Sequence, residues 1–118
     1  METKFDLTKL SKGLRARVTR DVQDYLGFEL YEFDRALPYF NPGTKAREKM
    51  LGWQEATKRF RDEIPTMETA DISDLGIIPQ MRVARIITRA LADQDLNDRE
   101  DAAFEMILER RWFGKEVP

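Results

Sequence analysis

The chain has 118 residues, of which 42% are apolar and 36% charged, and its 20 basic and 22 acidic side chains leave a net charge of −2. This balance is typical of a globular domain, and we expect a single helical domain over residues 1–118. The sequence contains no histidine and no cysteine, which excludes imidazole bases, disulfides, thiol chemistry and zinc ligation by these residues.

The first predicted element is a helix from about Thr8 to Leu26, because apolar residues recur there at steps of three and four. Gly27 follows at the position where a left-handed helix stop would lie. Lys9, Lys12 and Arg20 fall on the face opposite the apolar residues. The pattern therefore predicts a basic amphipathic helix, whose cations are candidate partner-binding residues.

Two further helices are predicted in the first half of the chain. The segment from Phe28 to Phe33 is compatible with a strand or a short helix, and the spacing of Leu30, Phe33 and Leu37 favours a helix that Pro38 ends. A longer helix is predicted from about Thr44 to Arg61, after the turn Asn41-Pro42-Gly43. Trp53 lies on the apolar side of this helix, so it is predicted to be either a structural residue or a binding hot spot.

The segment from Asn41 to Ala56 reads NPGTKAREKMLGWQEA. Its Asn-Pro turn, Ala-Arg pair, bulky apolar pair and Gly-Trp followed by Glu-Ala resemble the second helix of the ribosome modulation factor family. The resemblance implies a ribosome-associated, hibernation-type factor that contacts ribosomal RNA. The alternative is that the turn opens an ordinary amphipathic helix whose Trp53 packs in the core.

The second half of the chain is predicted to begin with a connecting loop over about residues 64–79. Prolines lie near both ends of this segment, and its apolar residues favour an ordered loop packed along the domain. A fourth helix is predicted from about Gln80 to Ala92, and a last one from Asp98 to about Trp112 with Asn97 as its N-cap. Together these elements predict an all-α fold, a compact bundle of four to five helices.

The acidic segment between the last two predicted helices resembles part of an EF-hand loop. Asp93, Asp95 and Asn97 supply oxygen side chains at positions one, three and five. Position six is Asp98 where the loop needs glycine, and position twelve is Phe104 where it needs a bidentate glutamate. The segment is therefore predicted to be an acidic turn without a metal ion, and we expect the protein to need no cofactor.

Three arginines on the fourth predicted helix form the second candidate partner-binding set. Arg82, Arg85 and Arg89 follow i, i+3, i+7 spacing and lie opposite the apolar residues of that helix. Such a stripe can contact nucleic-acid phosphates or an acidic protein surface. It can also be a solvated face whose arginines pair with nearby carboxylates.

Two charged residues project toward the apolar sides of their predicted helices. Asp21 does so on the first helix and Arg111 on the last. Burial of an unpaired charge is costly, so one interpretation is local pairing of Arg17 with Asp21 and snorkelling of Arg111 to the edge of the core. The other is that these helix faces form a partner interface.

The sequence favours a function in binding over catalysis. Neither serine lies in a Gly-x-Ser-x-Gly frame, and the glycines form no nucleotide-binding loop. We expect a small, non-enzymatic regulatory or inhibitory protein, of a type frequent in bacteria and their viruses, that docks on a larger protein or nucleoprotein complex. Direct nucleic-acid contact is less favoured, because the aromatic segment that could stack on bases is acidic.

Two alternative functions stay open. One is the ribosome-associated factor that the resemblance implies, and the other is a carboxylate-dependent metal enzyme. No apolar run reaches the about 18 residues that a membrane span needs, and no hydrophobic signal core follows the first residues. The protein is therefore predicted to be cytoplasmic and to have no membrane partner.

Overall fold

The structure, a computed structural model, describes residues 2–108. Arg111 and the predicted end of the last helix at Trp112 lie outside this range. Within it the chain forms three α-helices, α1 (Lys12–Ala36), α2 (Lys45–Glu63) and α3 (Ile77–Leu108), and two short strands, β1 (Lys4–Asp6) and β2 (Thr69–Asp71). Helices, counted with three short 3₁₀ turns, make up 79% of the described residues, which confirms the mostly helical prediction. The predicted number of four to five helices is wrong, and the small sheet was not predicted.

α1 runs through the stop predicted at Gly27. Ser11 caps its first turn, where the serine hydroxyl accepts a hydrogen bond from the Leu14 amide at 3.3 Å. Leu26 and Leu30, on either side of the glycine, are both buried. A glycine inside a helix costs about 1 kcal/mol relative to alanine, which the burial of these leucines outweighs. The first two predicted helices are consequently one helix of 25 residues.

A tight turn connects α1 to α2. Leu37–Tyr39 form one turn of 3₁₀ helix that contains Pro38, and Gly43 adopts the left-handed conformation, with φ of 81°. The Arg47 guanidinium donates hydrogen bonds to the carbonyl oxygens of Leu37 and Phe40 at 2.8 and 2.9 Å. These bonds fix the turn because they satisfy carbonyl groups that the end of a helix leaves unpaired.

The segment between α2 and α3 is packed, and part of it is a strand. β2 pairs with β1 in antiparallel register, and Phe5 opposite Ala70 is the buried pair of this ladder. Arg15 donates hydrogen bonds to the carbonyl oxygens of Pro65 and Met67. The predicted connecting loop thus ends earlier than expected, because α3 already begins at Ile77.

α3 is continuous through the acidic turn predicted at residues 93–97. No glycine or proline interrupts the segment. Two of its carboxylates form ion pairs while the segment is helical. Asp93 pairs with Arg17 of α1 at 2.6 Å, and Asp95 pairs with Arg99 one turn further along α3 at 3.0 Å. The fourth and last predicted helices are therefore one helix, and no EF-hand-like loop exists there.

The buried apolar residues form one cluster, to which α1, α2, the sheet and the first half of α3 contribute. The last buried residue of α3 is Ala90. The remaining half of the helix extends past the core, and the principal dimensions are 77 × 23 × 18 Å. The molecule is therefore elongated, where a compact bundle was expected.

Two isoleucines of α3 test this assignment of core and surface. Ile87 is fully buried, whereas Ile77 is 75% exposed. We expect Ile87→Ala to lower the free energy of unfolding by about 2–5 kcal/mol, because it leaves a cavity in the core. The matched control Ile77→Ala should change it by no more than about 0.5 kcal/mol. Urea unfolding followed by circular dichroism measures both, and equal effects would contradict the burial described here.

Candidate functional site

One side of α3 is exposed along its whole length. Successive residues of an α-helix are rotated by about 100° around its axis. We use the term outer face for the residues of α3 that lie within about 40° of Leu96 around that axis. All of them are exposed. They are Ile78, Arg82, Arg85, Arg89, Ala92, Leu96, Glu100, Ala103 and Ile107.

The outer face brings together the three arginines that the sequence analysis singled out. Within residues 2–108 none of them forms an ion pair. Arg82 lies over the Tyr25 ring of α1, with its guanidinium carbon 5.7 Å from the ring centroid. The nearby carboxylates that could have neutralised the stripe have other partners, since Asp93 pairs with Arg17 and Asp21 with Arg20. The arginines therefore present three positive charges to solvent.

Asp21 is a half-exposed residue at the seam between α1 and α3. It pairs with Arg20, at 3.3 Å, and not with Arg17 as the i, i+4 spacing suggested. Arg17 instead reaches across to Asp93. The apparent misfit of Asp21 on the apolar side of its helix is explained by this position, because the seam is open to solvent.

Two grooves run along the seam between α1 and α3, beside the outer face. The first has a volume of about 500 Å³ and mostly apolar walls. Its lining consists of Tyr25, Ile78, Met81, Arg82, Arg85 and Ile86. The second, of about 490 Å³, continues along α3 and has charged walls that include Arg85, Arg89 and Asp93.

Tyr25 forms the α1 wall of the apolar groove. Its hydroxyl donates a hydrogen bond to the Glu29 carboxylate at 2.7 Å. Partial burial, and then this hydrogen bond, raise the pKa of Tyr25 well above its usual value. The ring therefore stays neutral and offers Arg82 an aromatic face for a cation–π contact.

The basic residues predicted near the start of α1 do not join this face. Lys9 lies in a 3₁₀ turn ahead of α1, in a recess that it shares with Asp95 and Asp98. Lys12 is the first residue of α1, and Arg20 is paired with Asp21. The candidate set from the first helix is thus dispersed, whereas the set from α3 is contiguous.

Trp53 occupies a position between core and surface. Its side chain is half-buried beside Gly76, just ahead of α3. The Lys49 ammonium lies 5.6 Å from the centroid of its ring, on the solvent side. The segment that resembles the ribosome modulation factor family is otherwise largely exposed from Asn41 to Gly52.

The apolar part of the outer face was not predicted from the sequence. Leu96, Phe104 and Ile107 are each more than half exposed. Phe104 and Ile107 fall in the separate helix predicted from Asp98, whereas Leu96 falls in the acidic turn predicted before it, so the sequence pattern did not bring the three residues together. A count of apolar positions along one uninterrupted helix from residue 77 would have placed Leu96 and Ile107 in line with Ile78 and the arginines.

Within residues 2–108, no helix is long and apolar enough to cross a lipid bilayer. The same residues contain no group of three or more carboxylates arranged to hold a metal ion. Comparisons of the chain with protein-family models, curated proteins and solved structures gave no match.

The raised pKa of Tyr25 predicts a loss of stability in alkali. An unfolded tyrosine ionises near pH 10, whereas folded Tyr25 keeps its proton, so the free energy of unfolding falls as the pH rises above about 10. The Tyr25→Phe variant has no ionisable phenol at this position. We therefore expect the free energy of unfolding of the variant to fall less steeply with pH than that of the wild type. Urea unfolding at a series of alkaline pH values measures the slopes. The exposed Tyr39→Phe variant controls for loss of a phenol, and an unchanged slope in Tyr25→Phe would contradict the prediction.

Proposed function

We propose that this protein is a small, non-enzymatic regulator that docks on a larger protein or nucleoprotein complex through the outer face of α3. The observation that carries the proposal is the set of three exposed arginines, Arg82, Arg85 and Arg89, with exposed apolar residues before and after them on the same side of one helix. Docking of this face on an acidic site of the complex would block or alter the activity of that site.

The chemistry of the arginines supports a binding role. A guanidinium is more weakly hydrated than an ammonium and pairs with carboxylates in a two-pronged geometry, so it is well suited to interfaces. Arginine is also enriched among the residues that dominate binding energy. Three such groups lie at one-turn spacing on a helix that is anchored in the core. Their backbone positions are therefore fixed before a partner arrives, which lowers the entropic cost of binding.

The surroundings of the arginines favour a protein partner over a nucleic acid. Ile78 and Met81 precede them and Leu96 follows, all exposed, and an apolar centre with arginine is typical of protein interfaces. Glu100 lies on the same face and would repel phosphates. A nucleic-acid site is expected to carry cations along its length.

The proposal predicts that charge reversal on α3 abolishes docking. The triple variant Arg82→Glu, Arg85→Glu, Arg89→Glu should fold normally, because all three side chains are exposed, and should lose the captured complex. The measurement is affinity capture from a bacterial lysate, with and without nuclease, followed by identification of the retained proteins. Circular dichroism checks that the variant is folded.

A second triple variant is the matched control. Lys9→Glu, Lys12→Glu, Arg20→Glu makes the same change in net charge at exposed positions away from the outer face. It should retain whatever complex the wild type captures. Retention by the α3 triple variant would rule out the outer face as the docking site.

The salt dependence of capture separates protein from nucleic-acid partners. Binding to phosphates weakens steeply and log-linearly with salt concentration, by nearly one power for each contact. Binding to a protein surface with an apolar centre should weaken much less. Capture that is lost on nuclease treatment together with ribosomal RNA would favour the ribosome-associated alternative.

A further inference from the structure

The two halves of the outer face are complementary to each other. The half nearer the core carries Ile78 and then the arginines, whereas the distal half carries Leu96, Glu100 and then Ile107. Both halves lie on the same side of one continuous helix of 32 residues, which is about 48 Å long. Two copies of α3 placed side by side and antiparallel can therefore cover both halves of both faces at once.

One register brings the apolar ends and Glu100 into contact with the other half. When a two-fold axis passes beside Ala92 and Asp93, the distal residues of one copy lie opposite the proximal residues of the other. Ile107 then faces Ile78, and Glu100 comes level with Arg85 and within one turn of Arg82. Leu96 and Ala92 lie near the axis, where the small alanine allows the helices to approach closely.

Phe104 gives this register a specific anchor. It is 61% exposed and lies about 80° from Leu96 around α3, on the side of the helix that faces the α1 seam. In the antiparallel pair it comes level with Met81 of the second copy, beside the apolar groove of about 500 Å³ whose far wall is Tyr25. A large aromatic side chain that enters such a groove is a typical centre of an interface.

The charges on the distal half fit the same arrangement. Asp98, Asp101 and Glu105 lie on the side of α3 opposite the outer face and would stay in solvent. Glu100 is the one carboxylate of the described outer face, and it meets Arg82 and Arg85 of the second copy, whereas Arg89 comes level with Leu96. The contact is isologous, so each apolar and ionic pair occurs twice and the interface closes after two subunits.

We propose that the protein forms a two-fold symmetric dimer by antiparallel pairing of the α3 outer faces, with Glu100 of each copy between Arg82 and Arg85 of the other and Phe104 in the groove beside Tyr25. The occupant of the distal apolar face is thus a second copy of the chain. The self-association is independent of the proposed function. The dimer also covers the docking face. This second statement rests on the proposed function, and it makes the monomer the form that docks.

A charge-swap experiment tests the register. Analytical ultracentrifugation of the full chain over a concentration series gives the dissociation constant of the dimer. Arg85→Glu and Glu100→Arg should each raise it about tenfold or more, because each places like charges together at two symmetric positions. The combined variant should recover most of the wild-type affinity, since the attraction is restored with the signs exchanged. Asp101→Arg, on the opposite side of α3, is the control and should leave the constant unchanged.

Single cysteines provide a second readout, because the natural chain has none. Ala92→Cys places one thiol from each copy next to the two-fold axis, at a separation that a disulfide can bridge. Mild oxidation should convert this variant to a covalent dimer. Ala102→Cys lies about 120° around the helix from Leu96 and ten residues from Ala92, so it should stay monomeric in denaturing electrophoresis.

Neither readout needs the docking partner, so the dimer and the proposed function can fail separately. A wild-type chain that stays monomeric at every concentration would overturn the dimer and leave the distal face to a different protein. A dimer that is indifferent to Glu100→Arg, or that does not cross-link through Cys at position 92, would overturn the antiparallel register.

Discussion

The offset between α1 and α3 is the constraint on which the rest of the structure depends. The two helices run antiparallel, and polar contacts fix their relative position. The Ser11 amide donates to the Gln94 side chain at 2.6 Å, and Arg82 lies over Tyr25. The turn that begins α1 therefore lies beside the middle of α3, and α3 continues for about four turns with no α1 beside it. At the other end α1 runs past the start of α3 and packs with α2, where Gln54 donates to Asp34.

This offset explains why α3 changes polarity along its length. Near the core its inner side carries Val83 and Ile87, both fully buried. Past Gln94 the same side carries Asp98, Asp101 and Glu105, since no apolar element remains there to cover it. Leu96 and Ile107, two exposed apolar residues of the distal half, lie on the opposite side. An amphipathic helix whose apolar face turns away from its own core can bury that face only against another molecule.

Local patterns in the sequence predicted most of the helical content, and tertiary packing decided where the helices end. Gly27 was interpreted as a stop, but the burial of Leu26 and Leu30 on both sides keeps α1 intact. The acidic residues from Asp93 to Asn97 were interpreted as a turn, although no residue there breaks a helix. The strands are only three residues long and have no periodicity to detect. The arginine stripe could be predicted because its spacing lies within one helix, whereas its continuity with Leu96 and Ile107 depends on α3 being unbroken.

The distal half of α3 is also where binding has the largest effect on stability. Isolated helices of fewer than about 12–15 residues are marginal in water, and the residues past Gln94 have little tertiary packing to support them. These residues continue the helix from the half of α3 that packs on the core. The ion pair of Asp95 with Arg99 adds support. Contacts made by Leu96, Phe104 and Ile107 with another chain would supply the burial that this segment lacks within its own fold. Order in the distal half and occupancy of the outer face are thus thermodynamically linked, and a partner that covers the face also stabilises the helix that presents it.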